Sequence, residues 1–172
     1  MKVLLLNGSP RKNGCTYTAL NVVADALKAE GIDAEVFQAG DPDMENVKAA
    51  AAKLKDSDAL VVGSPVYWAS PSGQIIEFMD RLASVAGKDM LYKPAAAVAS
   101  ARRAGTTATL DVLTKYFSYH QMPVVSSCYW NMVHGNTPEE VMKDEEGVQI
   151  MRVLGKNMAW LLKCIEAGKK TV

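Results

Sequence analysis

The chain has 172 residues, 49% of them apolar, and its 19 basic residues balance 19 acidic ones. That balance leaves no electrostatic footprint for nucleic acid or an anionic membrane surface, and no apolar run approaches the ~20 residues of a membrane span. Three scattered cysteines and two histidines fit neither a disulfide framework nor a Cys/His metal site, so a cytoplasmic setting is expected.

Residues 3–6 form a continuous apolar run, too short for a helix, that breaks at Asn7-Gly8-Ser9-Pro10. It reads as a strand buried on both faces, not as a signal peptide. Past Gly14 the period changes, and Leu20, Val23, Ala24 and Leu27 recur at helical spacing until Gly31 ends the helix. Residues 33–37 read as a short second strand, less apolar and therefore near a sheet edge. Asp43 or a neighbour caps a helix through Val47, Ala50, Ala51 and Leu54. Residues 59–63 repeat the buried-strand signature and break into Ser64-Pro65-Val66-Tyr67-Trp68-Ala69. Ser70 and Pro71 suit an N-cap and a first helical position, followed by an apolar face of Ile75, Ile76, Met79, Leu82 and Ala83. Lys93-Pro94 opens a fourth strand over 95–101, whose alanines imply close packing of helices on the sheet, and which ends at Arg102-Arg103-Ala104-Gly105. Leu110, Leu113 and Phe117 mark the next helix, and residues 123–128 a fifth strand. A polar and aromatic loop over 129–136 precedes a helix start at Thr137-Pro138-Glu139-Glu140, and an apolar stripe from Val148 to Ile165 closes the chain.

Five strands alternating with helices predict an α/β fold: a doubly wound, five-stranded parallel sheet covered on both faces, in a single domain over 1–172. In such a sheet the ligand sits beyond the carboxyl ends of the strands, at the switch point. Three loops converge there, and the first is shaped for a phosphate: backbone N–H groups, a helix dipole, hydroxyls, Arg11 and Lys12 aim at one point. Five residues separate Gly8 from Gly14 and Cys15 follows, so this is not a Walker loop; no G-x-G-x-x-G is present, and no Arg stands six residues after Cys15. The second loop offers Tyr67 and Trp68, the third Arg102 and Arg103. A ligand with a phosphate at one end and a flat, electron-accepting ring at the other uses all three.

The pattern Gly8-Ser9-Pro10-Arg11-Lys12-Asn13-Gly14-x-Thr16, then Gly63-Ser64-Pro65-Val66-Tyr67 and a Lys-Pro strand start, resembles the flavodoxin-like NADPH-dependent FMN reductases, most nearly the branch with the iron-sulfur flavoproteins. The resemblance implies FMN as cofactor, with Ser9, Arg11, Cys15, Thr16 and Tyr17 around its phosphate. It implies Pro65, Val66, Tyr67 and Trp68 against the isoalloxazine, and Ser100, Ala101, Arg102, Arg103 and Gly105 on the pyrimidine side. Iron-sulfur members carry cysteines between the second strand and the next helix, where this chain has only Ala39-Gly40-Asp41-Pro42-Asp43, so no cluster is expected. The family loop usually reads Asn-Thr where this one has Cys15-Thr16, which leaves the Cys15 backbone N–H to serve the phosphate.

The expected activity is oxidation of NADPH or NADH with electrons passed to a flavin, quinone or similar acceptor; a flavodoxin-type carrier or an FMN module without its own NAD(P)H reaction is the alternative. The ring carries the electrons, so no catalytic side chain is named. An arginine at the pyrimidine edge stabilises negative charge on the reduced ring. A homodimer or higher homo-oligomer is expected from the apolar material at 129–136 and at Met90-Leu91-Tyr92.

Overall fold

The computed structural model describes residues 1–169. In chain order the elements are β1 (Lys2–Asn7), α1 (Cys15–Ala29), β2 (Asp33–Gln38), α2 (Met44–Lys55), β3 (Ala59–Tyr67), β4 (Ser70–Pro71), α3 (Gly73–Met90), β5 (Ala95–Ala101), α4 (Thr106–Tyr119), β6 (Met132–His134), α5 (Pro138–Lys143) and α6 (Glu145–Gly168). Five strands run parallel in the order β2-β1-β3-β5-β6, and β4 pairs antiparallel with β3 off that path. The sheet is therefore doubly wound, with its order reversing between β1 and β3.

Alternation along the strands explains why both faces are covered. Val3 and Leu5 enter a core with Leu20, Val23 and Leu27 of α1 and Met151, Leu154 and Met158 of α6. Leu4 and Leu6 enter the opposite core with Val47 and Leu54 of α2, Phe78 and Leu82 of α3, and Leu113 and Phe117 of α4. All four β1 residues are fully buried, each worth roughly 1.5–3 kcal/mol of transfer free energy. In β5 the small side chains of Ala95, Ala97 and Ala99 let the α3 and α4 layer approach, while Ala96 and Val98 face α1 and α6.

Two elements differ from the sequence reading. The fifth parallel strand is not 123–128: only Val124 bridges Ala95, and the ladder is carried by β6, where Met132, Val133 and His134 pair with Ala99, Ser100 and Ala101. Side chains displace the intervening backbone. The Ser127 hydroxyl bonds the Tyr129 carbonyl and Asn131 Oδ1, both at 2.7 Å, and Asn131 Nδ2 donates to the Ala97 carbonyl at 3.1 Å. The sheet's hydrogen bonds are thus kept while 126–130 leaves the edge. Likewise Ser70 does not cap α3. β3 runs on to Tyr67, turns through Trp68 and Ala69, and returns as Ser70–Pro71, so that the cap is Ser72, whose Oγ accepts the Ile75 N–H.

Candidate functional site

At the carboxyl end of β1 a buried polar network shapes the loop before α1. Asn7 Oδ1 accepts the Ser9 N–H, Asn7 Nδ2 donates to the Lys12 carbonyl and to Gln38 Oε1, and Gln38 Nε2 donates to the Ser9 carbonyl at 2.6 Å. From the other side the Ser72 hydroxyl donates to the Gly8 carbonyl at 2.8 Å. The loop backbone is thereby fixed by groups that face away from any ligand.

What the loop turns outward is donor-rich. No side chain caps α1 at Gly14 and no acidic residue stands in its first turn, so the N–H groups there are open to an anion. Arg11 is exposed and has no acidic partner among the described residues. Thr16 and Ser100 are both buried, and their hydroxyls meet at 2.7 Å, joining the start of α1 to the end of β5 across the floor.

These groups line one cleft of about 170 Å³: Ser9, Arg11, Cys15 and Thr16 from the first loop, Pro65, Val66 and Tyr67 from β3, and Ser100, Ala101 and Arg102 from the end of β5. Ten of the fourteen residues singled out in the sequence therefore come together. Tyr17, Trp68, Arg103 and Gly105 do not line it. Gly105, at φ +103°, is the αL residue that starts α4, and a Cβ there would stand 2.7 Å from Ala69 Cα. Only glycine allows both that backbone and that approach of α4 to the β3–β4 turn.

Gly135 and Asn136 complete the wall and were not anticipated. They follow β6, so a correct placement of the last parallel strand would have pointed to them, since loops after such strands converge on the same crevice. The Cys15 thiol reaches the Gly135 carbonyl at 3.6 Å and ties this wall to α1. Burial pushes that thiol's pKa up, outweighing its own backbone N–H and Arg11. His134 lies outside the cleft, half exposed, its N–H on Asp144 Oδ2. A broader groove of about 680 Å³ runs between α3 and α4, lined by Asp80, Val112, Tyr116 and Tyr119 among others. It contains none of the sheet-end loops, and its size alone gives it no chemistry.

The donor set suits a phosphate-bearing ligand: open helix N–H groups, hydroxyls and two cations, with no carboxylate lining the cleft. At about 170 Å³ the cleft is smaller than the roughly 300 Å³ or more of pockets that enclose a drug-sized ligand.

Fold and cleft together define a flavodoxin-like protein. An archaeal flavodoxin superposes with a TM-score of 0.73 at 18% identity, over 95% of this chain and 99% of that one. A WrbA-like flavodoxin from Agrobacterium tumefaciens gives 0.74 at 18%, over 94% and 96%. The sequence profile of the NADPH-dependent FMN reductases matches residues 1–137, and the chain belongs to that family. It is an FMN flavoprotein oxidoreductase. Among its relatives, an iron-sulfur flavoprotein from Methanocaldococcus jannaschii is 29% identical over 96% of this chain and all of that one. An NADPH azoreductase from a Bacillus species is 30% identical over 59% of each.

Proposed function

We propose that the protein oxidises NADPH or NADH through bound FMN and passes the electrons to a flavin, quinone or similar small acceptor. The observation that carries this reading is the cleft itself, where an uncapped helix start meets Arg11 and Arg102, neither with an acidic partner among the described residues. In the proposal Ser9, Arg11, Thr16 and the first-turn N–H groups of Cys15 and Tyr17 hold the phosphate. Pro65, Val66 and Tyr67 support the ring, and Ser100, Ala101 and Arg102 meet its pyrimidine edge.

When bound, FMN supplies the two-electron chemistry, and the protein's task is to orient the ring and set its electrostatics. Arg102 favours the form of the ring that carries negative charge, because a cation in a partly enclosed site acts through a lowered dielectric. Thr16 and Ser100 hold the phosphate end and the ring end in one register through their shared hydrogen bond.

The test is anaerobic. Mixing the oxidised protein with NADPH or NADH is expected to bleach the flavin, and bleaching by dithionite alone would instead mark an electron carrier. We also propose a cytoplasmic homodimer or higher homo-oligomer, supported by the exposed Leu91, Tyr92, Tyr129 and Trp130. Sedimentation at micromolar concentration gives a multiple of the chain mass if this holds and the chain mass if it does not.

A further inference from the structure

The β3–β4 hairpin holds Trp68 in a position that flavin binding alone leaves without a purpose. Trp68 and Ala69 have φ of +53° and +57°, two successive left-handed residues in a two-residue hairpin turn. That geometry matches the twist of the strands, but asparagine and glycine adopt it without the strain that a tryptophan and an alanine store. The strain is held in place by the surroundings. Gly105 presses on the turn so closely that a Cβ there would stand 2.8 Å from Val66 Cγ1 and 3.1 Å from Ala69 Cβ, and at the hairpin base Ser64 Oγ accepts the Ser72 N–H at 3.0 Å.

The outcome is a turn that presents a fully exposed indole directly after Tyr67, a lining residue of the cleft. Some exposed aromatics have ring partners, Tyr129 meeting Trp130 edge-on at 4.7 Å and Tyr119 meeting His120 at 5.1 Å, whereas Tyr92 and Trp160 are exposed without one among the described residues, though both less so than Trp68. Trp68 has none among the described residues. Beside it, the loop that Gly105 holds against the hairpin carries Arg103, exposed and without an acidic partner among the described residues. An indole and an unneutralised cation are thus offered by two loops in contact, each directly following a residue that lines the cleft, Tyr67 and Arg102.

We propose that Trp68 and Arg103 form the landing site of the second ligand, a planar aromatic anion, with the indole stacked on its ring system and the guanidinium on its charge. The proposal rests on the FMN reading above and names the class of molecule that meets the exposed side of the site. A flat ring system gains from the indole face and an anionic substituent from the cation, so a compound with both is selected over one with either alone. Trp68 is on this account a specificity-determining residue and not a support for the flavin.

The experiment is a binding titration of the oxidised, FMN-loaded protein with anthraquinone-2-sulfonate, in the absence of any electron donor, followed by calorimetry and by quenching of tryptophan fluorescence. Trp68→Asn suits the left-handed turn, so it folds, and it is expected to weaken binding about tenfold and to remove most of the quenching. Trp68→Phe restores most of the affinity. Arg103→Ala weakens binding a few-fold, and the difference shrinks as salt rises. Cyclohexanesulfonate, anionic but not flat, does not compete. Unchanged affinity in Trp68→Asn overturns the proposal, as does a loss of FMN affinity in that variant, which would place the indole on the flavin. A change in sedimentation of Trp68→Asn also overturns it, by placing the indole between two copies of the chain. Failure of the FMN reading is seen separately, as a colourless protein before any probe is added.

Discussion

The two edges of the sheet treat their charges differently. At the amino edge Glu35 sits between Lys2, at 3.0 Å, and Lys53, at 2.5 Å, while the Lys2 N–H bonds Asp58. Lys93 closes the end of α2 by donating to the carbonyls of Leu54 and Lys55. At the carboxyl edge Arg11, Lys12, Arg102 and Arg103 are exposed, and none has an acidic partner among the described residues. Paired charges at a surface serve the fold, each weakly. Cations left beside an uncapped helix gain little until an anion arrives, and that difference separates scaffold from site more sharply than cavity volume does.

The largest expected effect breaks the carboxyl edge alone. If Arg11 holds the phosphate as proposed, Arg11→Ala removes a charge-assisted contact and is predicted to weaken FMN binding by about 1.5–3 kcal/mol, with riboflavin binding barely changed. Because the Arg11 side chain has no acidic partner among the described residues, the thermal midpoint of the flavin-free protein stays where it was. A drop in that midpoint, or equal losses for FMN and riboflavin, would remove Arg11 from the phosphate and erase the contrast between the edges.

Ser72 is the carboxyl-edge group that serves both purposes, so it sharpens the comparison. Its buried Oγ accepts the Ile75 N–H at the start of α3 and donates to the Gly8 carbonyl beneath the loop that precedes α1. Ser72→Ala deletes a helix cap and leaves a buried carbonyl short of a donor, for about 1–2 kcal/mol of stability. FMN and riboflavin should weaken together here, because a loosened loop and hairpin base move the ring support as well as the phosphate. Denaturant unfolding of the flavin-free protein measures the first effect and flavin titration the second.

How much of this was legible in the sequence follows the same division. Strands β1, β3 and β5 were readable because burial on both faces leaves continuous apolar runs, and Gly14 and Gly31 bracketed α1. The three converging loops followed from the parallel topology, which is why Arg11, Thr16, Tyr67 and Ser100 were found together. The β3–β4 hairpin was hidden, because Trp68-Ala69 carries none of the Asn-Gly chemistry by which such turns announce themselves. β6 was hidden because the apolar run at 123–125 looks more like a strand than Met132–His134 does, and side-chain bonds from Ser127 and Asn131 decided the matter. Exposure is likewise not written in a sequence: Tyr67 and Trp68 are neighbours, and only the first lines the cleft.

The smallest effect belongs to the amino edge and depends on pH. Glu35 holds its proton less tightly than an ordinary glutamate, first because Lys53 hydrogen-bonds it and then because Lys2 does. A carboxyl whose pKa is lowered by folding contributes stability above its unfolded value, near 4.3, and loses it as pH falls through the lower folded value. Both lysines are about a third exposed, so solvent screens the pairs and Glu35→Gln is expected to cost only about 0.5 kcal/mol at pH 7. The gap between wild type and Glu35→Gln should therefore be present at neutral pH, shrink below about pH 4 and narrow with added salt. FMN affinity should be identical in the two proteins at every pH where both are folded. A change in FMN affinity on removing Glu35 would mean that the edges are coupled through β1 and β2, and that the paired charges at one end help to set the site at the other.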